Sequence, residues 1–304
     1  MSPLCPLACV FILNPAISQK MKKVRCYTED PFDFYKQVVA QRRGDRKRKL
    51  QTIEARVEQS YNEYMACFTD NRLVDLQALS ISSDEQEALK GLYRFRETPF
   101  SDLFLTLTTT RSNQRDMTCP NCTLADSSEL DHYIPKSEFP EFSANPLNLM
   151  PCCSECNKKK SSVWREGGKV SFLNLYLDDL PQAQYLFVRA SMISGIPSFE
   201  FYLDNPDGVI DSNLFNRIQS HYKRLNLCQR FQVRADMEIS DMANSYHSAL
   251  SLGVESSSIW ERISIEAAND FTKKGHNYWK SILKLACCNA PEIRTYIEEH
   301  RANP

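Results

Sequence analysis

The chain has 304 residues, 37 basic and 38 acidic side chains, a formal net charge of -1 and 42% hydrophobic content, which excludes fibrous and disordered classes. A chain of this length buries a sizeable core without disulfides, so a small stapled scaffold is excluded as well. The balanced charge excludes a protein wrapped on all sides by nucleic acid and confines any such contact to a local basic surface.

Only 8 glycines against a usual share of about 7% predict an α-rich α+β chain. The first twenty residues, MSPLCPLACVFILNPAISQK, hold an apolar run without the basic start or cleavage pattern of an export signal, and the run is too short to span a bilayer. Residues 1–20 are therefore read as a disordered or mis-annotated extension ahead of a true start at Met21, with no membrane segment.

A helical N-terminal region is expected over 21–116. Asp30-Pro31 reads as an N-cap with proline at the first helical position, ahead of Phe32, Phe34, Tyr35, Val38 and Val39 at helical spacing. That helix is expected to end in the basic run Arg42, Arg43, Arg46, Lys47, Arg48 and Lys49, read as a solvated or partner-facing surface. Ser83 with Gln86 reads as a capping box for the helix that follows.

The segment 117–162 carries the chemistry: CPNCTLADSSELDHYIPKSEFPEFSANPLNLMPCCSECNKKK. Five of the twelve cysteines crowd into it, a metal-site spacing that favours a reducing cytoplasm. The C-x-x-C pairs Cys119/Cys122 and Cys153/Cys156 offer four thiolates to one tetrahedral zinc, and a closed four-sulfur shell leaves no position for substrate, so this zinc is structural. Cys152 is an alternative to Cys153 as ligand. Asp131-His132 and then Asn148 inside the loop closed by these pairs, with Asn157 directly after the last cysteine, provide the parts of a phosphodiesterase. His132 titrates near neutrality and suits a base for water, while Asp131 and Asn157 present hard oxygens that suit Mg2+ or Mn2+.

The order L-D-H-Y-I-P-K, N-L-M-P-C, C-x-x-C-N-x-x-K resembles the HNH endonuclease family with its ββα-metal (His-Me finger) fold. The resemblance implies that His132 activates water and that Asp131 and Asn157 hold the catalytic cation. It implies that Asn148 braces the loop presenting the histidine, and that cleavage leaves 5′-phosphate and 3′-hydroxyl ends. Many members carry histidine where Asn157 stands; asparagine is a family variant that supplies a carbonyl oxygen. Lys158, Lys159 and Lys160 follow on the finger helix and are expected to bind substrate phosphates.

The remaining region, 163–304, is expected to be mostly helical, with a β-hairpin near 184–203 turning at Gly195/Pro197. Phe199, Phe201, Phe231, Trp260 and Trp279 fall at core-like periods, and His221, His247, His276 and His300 read as packing or surface residues. No G-x-x-x-x-G-K-[ST] loop is present, so the chain itself is not expected to hydrolyse ATP.

The expectation is a cytoplasmic, metal-dependent HNH endonuclease acting on nucleic acid, with DNA as the expected substrate. Helical flanks larger than a bare nuclease needs resemble HNH partners of ATPases in retron and Septu-type antiphage systems. The alternatives are a catalytically silent zinc-stapled adaptor and a stand-alone restriction or homing-type nuclease.

Overall fold

The computed structural model describes residues 25–300. The extension over 1–20 and the Met21 start expected from the sequence lie outside them. The described residues form a helix-rich chain with three small two-stranded antiparallel sheets. They divide into two compact units, one built from residues 25–179 with Asn216–Leu225, the other from Leu180–Phe215 with residues 226–300.

In the first unit, α1 (Pro31–Ala40) starts where Asp30 accepts the Phe32 N–H at 2.7 Å, with Pro31 supplying a helical φ where no amide is needed. Its apolar residues Phe32, Phe34, Tyr35, Val38 and Val39 are all buried. The helix stops before the basic run. Gly44, at φ +59°, breaks the path, and α2 (Gly44–Thr52) carries most of those cations separately.

Arg42, in the break, departs from the solvated face expected of it. Its guanidinium is buried and donates to the Leu92 carbonyl at 2.8 Å while pairing with Glu97 at 2.6 Å. It thus ties the α1–α2 corner to the connection between α4 (Ser83–Lys90) and α5 (Thr98–Leu107).

The capping box of α4 lies one residue earlier than expected. Ser82 caps the Glu85 N–H, and the Glu85 carboxylate accepts the Ser82 N–H at 2.7 Å. A carboxylate accepts more strongly than the Gln86 amide and is favoured in the first turn by the helix dipole, which selects this register. α3 (Glu54–Thr69) contributes Tyr61 and Tyr64, whose rings tilt against Phe142 at 6.1 and 4.8 Å.

Strand β1 (Glu129–His132) pairs antiparallel with β2 (Leu149–Cys152), with Asp131 opposite Met150 and His132 opposite Leu149. The short helix α6 (Ser154–Lys160) follows β2 directly, and β3 (Arg165–Glu166) pairs with β4 (Lys169–Val170). Residues 216–225 of α7 (Ser212–Leu225) belong to the same unit. They bury His221 against Phe172 at 4.3 Å and anchor Arg217 on Asp178 at 2.5 Å.

The second unit is built on the hairpin of β5 (Leu186–Ile193) and β6 (Ile196–Leu203). Ser194 and Gly195 make the turn with φ of +51° and +80°, the pair of positive values that a tight hairpin requires. Pro197 is not in this turn. It sits inside β6 opposite Met192, which is tolerated because each strand of a two-stranded sheet has an open edge.

Helices α8 (Leu227–Ser251), α9 (Ser256–Lys274), α10 (Trp279–Asn289) and α11 (Pro291–Glu299) complete this unit. Phe199, Phe201, Phe231, Trp260 and Trp279 are buried, with the Phe231 and Trp279 rings stacked at 5.4 Å. The Asn277 carboxamide accepts the N–H groups of Tyr185 and Leu186 at 2.7 and 2.9 Å, fixing the start of β5. Among the described residues, no helix is long and apolar enough to cross a membrane.

Candidate metal centre and active site

The thiols of Cys119, Cys122, Cys153 and Cys156 lie within 4.8 Å of one another, and all four residues are buried. Four clustered sulfurs can shed their protons together only around a cation, because their mutual repulsion otherwise disfavours the thiolates. The donor set and its spacing fit zinc.

Backbone amides point at the sulfurs, as expected where thiolates must be stabilised. The Cys153 N–H donates to Cys119 Sγ at 3.3 Å, Cys156 N–H to Cys153 Sγ at 3.4 Å, and Leu124 N–H to Cys122 Sγ at 3.5 Å. Cys152 is the buried fifth thiol. It accepts from the Asn121 amide at 3.4 Å and donates to the Cys153 carbonyl at 3.3 Å, while Cys153 completes the four-sulfur group.

This cluster joins both sides of the β1–β2 pair. Cys119 and Cys122 precede β1, Cys153 caps α6 immediately after β2, and Cys156 lies within α6. Asp131 and His132 close β1, so the loop bounded by the cysteine cluster presents them at one end of the sheet.

His132 is buried, and its Nε2 lies 2.9 Å from the Ser143 carbonyl. A carbonyl can only accept, so this contact assigns the proton to Nε2 and leaves the Nδ1 lone pair as the basic position. Among the described residues, no hydrogen bond to Nδ1 is found. Burial pushes the imidazole down to about 3, opposed by the hydrogen bond to Ser143 and reinforced by Lys136 and Lys160. The ring is therefore neutral at pH 7, with no proton on Nδ1.

Asp131 is also buried, and its Oδ2 pairs with Lys160 Nζ at 3.1 Å. Burial raises its carboxyl above the usual range, against the pull of the Lys160 ammonium. Lys160 is 2% exposed and also donates to the His132 carbonyl at 2.6 Å, so α6 is stapled to the end of β1 at two adjacent residues. Lys158 on the same helix is exposed and Lys159 is half-buried.

The side-chain amide of Asn157 makes no hydrogen bond to the protein among the described residues, and its carbonyl oxygen is available to a ligand. Asp131 and Asn157 each carry a hard oxygen donor of the kind Mg2+ or Mn2+ accepts.

Asn148 is wholly buried. Its Oδ1 accepts the Ile134 N–H at 2.7 Å and its Nδ2 donates to the Ile134 carbonyl at 2.9 Å. Its own carbonyl accepts the Tyr133 N–H at 2.8 Å. One side chain thereby clamps the chain two residues beyond His132.

Residues 119–162 match the HNH endonuclease family. The matched segment spans all four clustered cysteines, Asp131, His132, Asn148 and Asn157. The chain is also 26% identical over 190 residues to Protein ea31 of Escherichia phage lambda, an alignment covering 58% of this chain and 62% of that protein. It thus spans less than two thirds of that relative's length. No solved structure matches.

The motif reading singled out neither Tyr64 nor Tyr93. The Tyr64 hydroxyl donates to the Leu147 carbonyl at 3.3 Å, and the Tyr93 ring stands edge-on to His132 at 4.6 Å. Tyr64 comes from α3 and Tyr93 from the connection between α4 and α5, with no spacing signal to connect either to the HNH segment. Lys136 lay within the quoted motif without a role. It stands over the Tyr93 ring at 5.0 Å.

Proposed function

We propose that the chain is a metal-dependent HNH endonuclease that hydrolyses phosphodiester bonds, with DNA as the expected substrate. The observation that carries this reading is the state of His132. A neutral imidazole, fixed through Nε2 and open at Nδ1, adjoins a buried carboxylate inside a segment that matches the HNH endonuclease family.

In this reading His132 takes a proton from the attacking water at Nδ1, while the Ser143 carbonyl holds the ring and favours the cationic form as it develops. Asp131 and Asn157 would hold a divalent cation, which when bound would supply neutralisation of the charge that develops on the phosphate. Asn148 keeps the Ile134 backbone, and with it His132, in place. Lys160 holds α6, the helix that carries Asn157, against the end of β1, the strand that carries Asp131. Lys158 and Lys159 add phosphate affinity from the same helix. The four cysteines hold zinc as a structural staple.

The partner ATPase and antiphage role expected above rest on resemblance alone. The adaptor alternative differs in having no chemistry at His132. Incubating the purified chain with supercoiled plasmid and with single-stranded DNA and RNA, in Mg2+, Mn2+ or excess chelator, tests the proposal. Cation-dependent cleavage leaving 5′-phosphate and 3′-hydroxyl ends is expected; intact substrates under every condition would favour the adaptor.

A further inference from the structure

Among the lysines near His132, Lys160 already has an anionic partner in Asp131. Lys136 has none. It is half-buried, makes no ion pair with any carboxylate among the described residues, and faces the ring of Tyr93 at 5.0 Å. Burial alone acts on its ammonium, lowering its pKa with no neighbouring carboxylate to offset the effect. A partly desolvated cation without a counter-charge is costly, and the cost is recovered when an anion arrives.

The Tyr93 ring links this ammonium to the candidate base. It lies edge-on to His132 at 4.6 Å, with the ring planes at 74°, and its hydroxyl donates to the Leu130 carbonyl at 2.5 Å. That hydrogen bond to β1 stops the ring from swinging away. The two ring distances place the Lys136 ammonium within about 10 Å of the His132 ring centre. Phosphates follow one another at about 3.4 Å of helix rise per strand, so an ammonium at that separation reaches the scissile phosphate or one within a few nucleotides of it.

We propose that Lys136, seated on the ring of Tyr93, is a phosphate-binding residue that receives the nucleic-acid backbone beside His132. The proposal rests on the nuclease reading and adds a substrate contact beyond Lys158 and Lys159. Lys136 supplies a point charge without base selectivity, so it contributes affinity and salt dependence but no sequence preference. Tyr93 is a positioning residue: it acts on substrate only through Lys136 and His132.

Binding of a fluorescein-labelled DNA duplex, followed by anisotropy without added Mg2+ or Mn2+ across a salt series, separates the two claims. Lys136→Ala should bind roughly tenfold more weakly at low salt. The slope of log affinity against log salt should fall by about one unit. Lys136→Arg should restore both, and Tyr93→Leu, which removes the ring under the ammonium, should reproduce the Lys136→Ala defect. Lys273→Ala, at the end of α9, controls for general loss of surface charge.

Zinc content and circular dichroism identify a folding failure, and the Lys136→Arg slope then decides the outcome: a salt slope equal to the wild-type value supports the proposal. Wild-type binding with an unchanged slope in Lys136→Ala would overturn the Lys136 assignment and leave the nuclease reading standing. No binding or cleavage of any nucleic acid by the wild type would overturn both. Loss of inorganic phosphate binding in Lys136→Ala with unchanged duplex affinity would assign the site to free phosphate and overturn the nucleic-acid reading of it.

Discussion

Asn148 commits both ends of its amide to the Ile134 backbone, and it is wholly buried. Truncation to alanine strands one donor and one acceptor in the interior, at a cost of about 2–4 kcal/mol. Asn148→Ala should therefore lower the unfolding midpoint and slow cleavage together, and thermal unfolding alongside a cleavage time course would check this. His221 gives a second prediction at this scale. Burial pushes its imidazole down to about 4, and its Nδ1 is buried without a partner. Between the ordinary value near 6.5 and about 4, the unfolded chain binds a proton that the folded chain resists, so stability falls as pH drops through that window. The loss at pH 5 is about 2 kcal/mol for this residue. His132 acts in the same direction, while the raised carboxyls of Asp131, Glu141 and Asp178 act in the opposite one. Comparing His221→Phe with the wild type by denaturant unfolding at pH 7.5 and pH 5 removes these shared contributions. The variant should lose less stability on acidification; equal losses would contradict the assignment.

At the scale of elements, the β1–β2 pair has four residues per strand and α6 has seven, too few to persist unaided. The four-sulfur cluster compensates by tying the chain before β1 to the start of α6. Chelation of zinc, or Cys156→Ser, should release amide protons in β1, β2 and α6 to solvent exchange, with metal content falling in parallel; protection unchanged by metal loss would contradict the structural role. The cysteine pairs and the D-H, N and C-x-x-C-N motifs were legible in the sequence because their chemistry depends on short spacings. Tyr93, Arg42 and the Asp131–Lys160 pair were not, since their partners come from segments remote in sequence and only packing brings them together. Local signals also competed. Two adjacent serines offered a cap for α4 and the better acceptor at Glu85 chose between them, while Ser194–Gly195 took the hairpin turn by backbone conformation and left Pro197 in the strand.

For the whole molecule, a segment of modest size carries the candidate chemistry, and the helices around it contribute directly to its geometry. Tyr64 from α3, Tyr93 from the α4–α5 connection and Arg224 from α7 all hydrogen-bond to backbone carbonyls of that segment, at Leu147, Leu130 and Lys160. The second unit was legible in outline because its strands are rich in aromatic and β-branched residues and its helices are long. Its role is not written in any motif, since core residues such as Phe231 and Trp279 specify packing and not chemistry. The account as a whole depends on one imidazole acting as a base beside an oxygen-bound cation. Cleavage of plasmid DNA in Mg2+ by His132→Ala, with zinc content and circular dichroism measured on the same preparation, tests that most directly. A fall of at least about 100-fold in rate with zinc and fold retained is predicted; a variant that keeps its zinc and fold and still cuts at the wild-type rate would contradict it.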